Sequence, residues 1–394
     1  MNIKVKFIES ADVPVWDSFV NRHPGATLYH LSKWNKIIQK AYGHQCYYLV
    51  GVRNPENRDS QDKNKSVDQL VTPLKTKEVP NDNGLVSGLL PLIHLNHFVF
   101  GNRLISLPYF DLGGILGDGE EIEKALLNAA IELAKKLNVG SIDLRHHQPL
   151  PWLGLGEIRE RASSPWQSIN SWFAQVRSHK VRMIFKLPGS SDMLMKSFKA
   201  KLRSQIMKPI KEGLKAKIGG LELLHDFYEV FSINMRDLGS PVHSKRLIEE
   251  VIKEFGDQSK IVLVHKEEKP LACSLVVGFK DILENPWASA LAKYSRLSPN
   301  MLLYWTMLEY ACDNGYAWFD FGRSSPGEGT YRFKEQWGAK PTPLYWYYLQ
   351  NGGNSMDVEV SERSKFDKAI RIWQKLPVPV TQVLGPMIRK HISL

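Results

Sequence analysis

The sequence predicts an α/β (α+β) protein of two tandem lobes, each a mixed central sheet flanked by helices. Three observations carry this reading. A chain of 394 residues is too long for one ordinary core. Between residues 261 and 321, strand-like and helix-like stretches follow in the order β-β-β-α-β. A helix and strand at 120–145 repeat in topology, though not in sequence, the helix and strand at 300–321.

In the first lobe, residues 3 to 9 alternate like a strand and Val15 to Val20 begin a short helix. His23-Pro24-Gly25 turns the chain into a helix from about Ser32 to Tyr42. Tyr47 to Val52 is a strand by its aromatic and β-branched content. Residues 53–83 are too polar to bury anything and read as a mobile insertion at a hairpin tip. Leu85 to Leu95 resumes the strand pattern. Leu126, Leu127, Ala130, Leu133 and Ala134 form one apolar stripe on a helix from about Glu120 to Leu137, and strand Ser141 to Arg145 closes the unit. The lobe is set at 1–170.

The second lobe, 171–350, opens with a strand at Arg177 to Lys186. Met195 to Lys217 reads as a basic helix whose apolar stripe is Phe198, Leu202, Ile206, Ile210 and Leu214, with Pro209 expected to kink or break it. It is either a solvated amphipathic helix or a contact for phosphates or lipid headgroups through Lys199, Arg203 and Lys208. Strands follow at Ile261 to His265, Leu271 to Phe279 and Ala288 to Ser295, then a helix at 300–313 and a strand at Ala317 to Phe321. In the tail, 351–394, Phe366, Ala369, Ile370, Trp373 and Leu376 share an apolar face flanked by Lys365, Lys368, Arg371 and Lys375. Such a face packs back on a lobe or lies in a membrane interface.

Hydrophobic content of 43% and charged content of 24% are those of a globular protein. No run of 18 apolar residues exists and the N-terminus lacks a signal-like apolar stretch, so a cytoplasmic location is expected, with peripheral contact on the inner membrane as its variant. The net charge of +11 suggests a polyanionic partner. Cys46, Cys273 and Cys312 stand far apart without partners at ligand spacing, which argues against a disulfide framework and a metal site.

The densest motif runs Phe319-Asp320-Phe321-Gly322-Arg323-Ser324, then Gly329-Thr330-Tyr331-Arg332-Phe333-Lys334-Glu335-Gln336-Trp337-Gly338. With Ser106-Leu107-Pro108-Tyr109, Gly113-Gly114 and the segment Asn234 to His243, it resembles the FemAB-type aminoacyl/acyltransferases, a two-lobed branch of the GNAT superfamily. Within that branch it looks like the subgroup associated with exosortase/PEP-CTERM and exopolysaccharide gene clusters. The resemblance covers roughly residues 1 to 350 and is specific at 317 to 348.

The resemblance implies two GNAT-like lobes and amide formation on an amino group of a nucleotide- or lipid-linked envelope precursor, a peptidoglycan or exopolysaccharide intermediate. It implies no tightly bound cofactor, and a donor that is aminoacyl-tRNA or acyl-CoA. The turn that holds the pyrophosphate of coenzyme A in this superfamily carries glycines; here Arg296-Leu297-Ser298-Pro299-Asn300-Met301-Leu302 has none. Phe333 and Lys334 match the family's Phe-Lys pair, whose lysine steadies donor phosphate or developing negative charge. Arg323 and Arg332 suit anionic groups, Tyr331 and Phe333 suit substrate contact or packing, and Asp320 and Glu335 are candidate bases. His243 is a further candidate, ahead of His30, His146 and His147. The rivals are an acyl-CoA-dependent N-acyltransferase acting on an amino sugar and a non-catalytic binding component of an envelope assembly system.

Overall fold

The computed structural model describes residues 2–8, 13–54, 86–154, 167–169, 172–352 and 358–393. Two compact units result, 1–178 with 344–355 and 391–394, and 179–343 with 356–390.

The first unit contains β1 (Asn2–Ile8), α1 (Val13–Arg22), α2 (Lys33–Tyr42), β2 (Gln45–Asn54), β3 (Val86–His97), β4 (Gly101–Ile105), β5 (Leu116–Gly117), α3 (Glu120–Lys136), β6 (Ser141–His146), β7 (Gln167–Ile169) and β8 (Trp172–Arg177). Its sheet runs β1-β2-β3-β4-β6-β16-β8-β7, with β5 beside β3, where β16 is Tyr345–Asn351. All pairings are antiparallel except β4–β6, which α3 bridges. α3 begins with Glu120, Glu121 and Glu123 and ends with Lys135 and Lys136, matching its dipole. Leu126, Leu127, Ala130, Leu133 and Ala134, the stripe expected from the sequence, are buried, and Ile122 and Ile131 join them.

The second unit contains β9 (Val181–Lys186), α4 (Ser191–Ser197), α5 (Ala200–Lys211), β10 (Leu214–Gly219), α6 (Leu224–Asp237), α7 (Lys245–Phe255), β11 (Ser259–Lys266), β12 (Lys269–Phe279), β13 (Ile282–Ala290), α8 (Pro299–Asp313), β14 (Trp318–Ser324), α9 (Gly329–Glu335) and β15 (Lys340–Pro343). Its sheet runs β10-β11-β12-β13-β14-β9-β15, and only β13–β14 is parallel. α8 bridges that pair and buries residues on nearly every side, including Met301, Leu303, Tyr304, Met307 and Leu308. The repeated helix-then-strand topology is therefore real: α3–β6 and α8–β14 play the same part in their sheets.

Several expectations need correction. The boundary at 170/171 and the end at 350 misplace two strands, since β8 and β16 pair with each other in the first sheet. The strand expected at Arg177 to Lys186 is two strands in two sheets, broken at 178–180. The basic helix at Met195 to Lys217 is three elements. Phe198 and Lys199 take extended backbone between α4 and α5, and Leu214 opens a strand. Pro209 sits inside α5, two residues before that helix ends. The strand expected at Ala288 to Ser295 starts earlier, at Ile282, and residues 292–297 form a 3-10 turn. The insertion at 53–83 lies outside the described residues except for Arg53 and Asn54, which end β2.

The tail packs back. α10 (Val358–Lys375) and α11 (Val378–Arg389) belong to the second unit. Gln374 donates to the Asp237 carbonyl, Arg236 to the Leu376 carbonyl, and Gln382 to the Ser232 hydroxyl.

Candidate active site at the split of the second sheet

The parallel pair β13–β14 holds for three residues only: Ile282 opposite Trp318, Leu283 opposite Phe319, Glu284 opposite Asp320. Each strand then leaves its register. On β13, Asn285 and Pro286 together face Val276 of β12; on β14, Phe321 and Gly322 together face Met183 of β9. Two bulges at one level bend the strands apart. Pro286 fits there because it has no N–H to give a ladder. Gly322 has φ 76°, and a Cβ on it would stand 3.2 Å from the Asn285 carbonyl, so both its conformation and its neighbour call for glycine. Beyond the bulges, β13 runs on from Asn285 to Ala290 with no strand partner on that side among the described residues.

Four buried charged side chains surround the fork. Arg182 of β9 lays its guanidinium on Asp320, at 2.8 Å from Nε and 2.7 Å from Nη2, and reaches Glu284 at 3.6 Å. The other Asp320 oxygen accepts the Gly322 N–H at 2.8 Å, which fixes the bulge. Lys334, 7% exposed on α9, donates to the carbonyls of Gly322 at 3.1 Å and Arg323 at 2.7 Å. The four charges cancel formally, which makes their burial tolerable.

The sequence-expected residues divide accordingly. Asp320 and Lys334 meet at the fork, but as its scaffold: the carboxylate is bound to Arg182 and a backbone N–H. Arg323, half-buried on β14, follows the bulge directly. Phe333 packs edge-on to Tyr304 at 5.0 Å, and Tyr304 lies over Phe321 at 5.5 Å. Burial pushes the Tyr304 phenol up to about 12, so it stays neutral. Tyr331 is half-buried against the same core, while Arg332 and Glu335 are exposed on α9.

His243 is elsewhere in the unit. Its Nε2 accepts from Arg389 Nε at 3.1 Å, and its ring lies 5.7 Å from that of Trp287. Burial, and then the Arg389 charge, hold its pKa well below the usual value. It is a neutral imidazole locked under α11 rather than a group waiting for a proton. Lys199 is exposed just before α5 and Lys208 is exposed on it, whereas Arg203 also donates to the Phe198 carbonyl at 2.6 Å, closing the break between α4 and α5. Arg296 lies in the 3-10 turn before α8, which ends at Leu297; Ser298 takes φ 57° and Pro299 is the first helical residue.

Sequence reasoning missed Arg182, Glu284 and Asn285, whose Nδ2 donates to Met307 Sδ at 3.0 Å. A lone arginine inside the apolar alternation Val181 to Phe185, and a proline inside Leu283 to Ala288, were the available signals.

The first unit repeats the fork but fills it. Ile105 opposite Asp143 is its last parallel pair. Arg145, two residues on, donates to the carbonyls of Phe110 and Ser393 and lies over the Trp346 ring. Beside it, His23, His30, His146 and His147 line a pocket of about 70 Å³. His30 and His146 are pushed down to about 3, chiefly by burial.

Residues 198–335, about a third of the chain, match the family described as "Acetyltransferase (GNAT) domain". No curated protein matches the sequence. Among solved structures, FemX aligns over 89% of this chain and 98% of its own, at 15% identity and a TM-score of 0.59. A conserved protein of unknown function from Bacteroides thetaiotaomicron aligns over 89% and 100%, at 11% identity and a TM-score of 0.51. A tandem GNAT protein from the clavulanic acid biosynthesis pathway gives 10% identity and a TM-score of 0.49 over 90% and 100%. The family match and the likeness to FemX, at 15% identity, speak for the fold alone: two GNAT-like lobes.

Proposed function

We propose that the chain is an N-acyltransferase that forms an amide on an amino group of a cell-envelope precursor, and that the chemistry takes place at the split of its second sheet. The observation that carries this reading is the paired bulge that parts β13 from β14 after Glu284 and Asp320. It leaves a strand edge whose backbone N–H groups suit a carbonyl oxygen turning into an oxyanion. In the reaction the amine nitrogen attacks the acyl carbon, a C–N bond forms and the ester C–O bond breaks. The proton that the nitrogen sheds is matched by one taken up on the departing ester oxygen, which leaves as the donor's hydroxyl. Lys334 holds the β14 side of the opening in place and brings positive charge to it. Arg323 and Arg332 take anionic parts of the substrates.

Asp320, bound to Arg182, is a poor base. Glu335 is exposed and available to take the proton, and an amine that arrives neutral needs little more than positioning. Aminoacyl-tRNA is the donor favoured, because the turn before α8 is a 3-10 turn closed by Ser298 and Pro299, with no glycine for close approach to a pyrophosphate. The acceptor class, a nucleotide- or lipid-linked peptidoglycan or exopolysaccharide intermediate, follows the motif resemblance.

The test is donor binding by thermal shift and filter retention, with charged aminoacyl-tRNA, uncharged tRNA, acetyl-CoA and a long-chain acyl-CoA. Stabilisation by charged tRNA alone supports the reading. Stabilisation by a CoA thioester moves the chain to acyl-CoA chemistry, and indifference to all four removes the enzymatic reading.

A further inference from the structure

α11 is a helix turned inside out. Its packed face is polar or small. Thr381, Gly385 and Arg389 recur every four residues and are buried, with Gly385 against Val242 and Arg389 on His243. Its outward stripe, Val380, Val383, Leu384 and Met387, follows the i, i+3, i+4, i+7 spacing of a helix face and is apolar throughout. Val383 is 66% exposed and Met387 61%. From Leu376 to Ile388 there is no charged residue at all. Water-facing helices reverse this pattern, so the stripe calls for a cover.

The neighbouring element says which kind. On α10, Lys368, Arg371 and Lys375 are exposed at i, i+3 and i+7, and Ile372 between them is 64% exposed. Between residues 365 and 390 there are six basic side chains and one acidic one. An apolar stripe on one helix and a basic one on the helix that precedes it in the chain suit the interface of a bilayer with anionic headgroups. The geometry excludes spanning. Among the described residues no helix is long and apolar enough to cross a membrane. The 12 residues of α11 reach about 18 Å against an acyl core of about 30 Å.

We propose that α11, with the basic edge of α10, seats the second unit on an anionic membrane surface with the helix axis in the plane of the interface. This goes beyond the acyl-transfer reading and is independent of it. A chain without transferase activity would bind vesicles all the same.

The test is flotation of the full chain with vesicles of phosphatidylcholine alone or mixed with phosphatidylglycerol. The chain is expected to float with the mixed vesicles and far less with phosphatidylcholine, and salt should weaken the binding. Val383→Asp with Met387→Asp, and separately Lys368→Glu with Arg371→Glu and Lys375→Glu, should each cut the bound fraction by at least roughly tenfold. Melting temperatures should stay unchanged, because these side chains are exposed. Val383→Ser with Met387→Ser is the milder pair should the aspartates unfold the tail. No flotation of the native chain, or equal flotation of native and substituted chains, overturns the proposal. So does a dimer that Val383→Asp with Met387→Asp dissolves while vesicles are ignored, since the stripe would then cover a second copy.

Discussion

At the scale of single residues, Lys334 and Arg182 make separable predictions. Lys334→Met keeps the aliphatic bulk but removes the donor to the Gly322 and Arg323 carbonyls. Two carbonyls lose a charged partner, at a cost of about 1–3 kcal/mol. Turnover with whichever donor binds, read as amide product, should fall roughly a hundredfold, because the β14 edge and its nearby charge go together. A Lys334→Met chain that keeps full turnover would remove Lys334 from the mechanism. Arg182→Met leaves Asp320 and Glu284 buried without the cation between them, and should destabilise the second unit by about 3–5 kcal/mol, read as a denaturation midpoint. Asp320→Asn alone should cost less, since it keeps the shape and leaves the cation Glu284. An Arg182→Met variant as stable as the native chain would mean the charges are not coupled.

At the scale of elements, what was legible in the sequence was local. The stripe on α3, the apolar mass of α8 and the motif leading from β14 into α9 each show as a periodicity or a run, and Lys334 came with them. What stayed hidden depends on distant pairing. β16 carries the aromatic, half-apolar pattern of any strand, and nothing local says that it lies between β6 and β8. Nothing local singled out Arg182, because its partner Asp320 lies 138 positions away on β14. The apolar stripe from Phe198 to Leu214 misled because a spacing of four does not reveal the extended step at Phe198 and Lys199. The docking of α11 gives a prediction at this scale. A Cβ at Gly385 would fall 2.9 Å from the Val242 side chain and 3.0 Å from its backbone N, and backbone does not yield. Gly385→Val should therefore lift α11 and cost about 1–3 kcal/mol, seen as faster proteolysis of the tail. Unchanged proteolysis would mean that the helix is held mainly by Arg389 and Gln382.

At the scale of the whole molecule, acid and chain order test the architecture. His30 and His146 are neutral in the fold, with pKa values near 3 against an ordinary 6.5, and burial is the main cause. The unfolded chain protonates both below 6.5, so their stability contribution is complete above that pH. It drains as the pH falls toward 3, by about 1.4 kcal/mol per unit for each group. Asp143, raised by burial, acts in the opposite sense. Melting curves between neutral pH and mild acid should show the decline, and His30→Gln with His146→Gln should flatten it. Chain order gives the sharper test. The first sheet needs β16, which the chain supplies only after all seven strands of the second sheet, and β16 is internal, bonded to β6 on one side and β8 on the other. A fragment ending at residue 170 lacks both β8 and β16, exposes the long edge of β6 and uncovers Leu144 and Ile142 of its core. It should fail to fold or should aggregate through that open edge. The segment 179–343 retains all seven strands of its own sheet and should give a cooperative melt. A folded, monomeric 1–170 fragment would show that β16 is an ornament on a complete lobe. If that fragment is unfolded and recovers β-sheet signal when a peptide spanning β16 is added, the first unit is completed from the far end of the chain, and the two units cannot be inherited or truncated as simple halves.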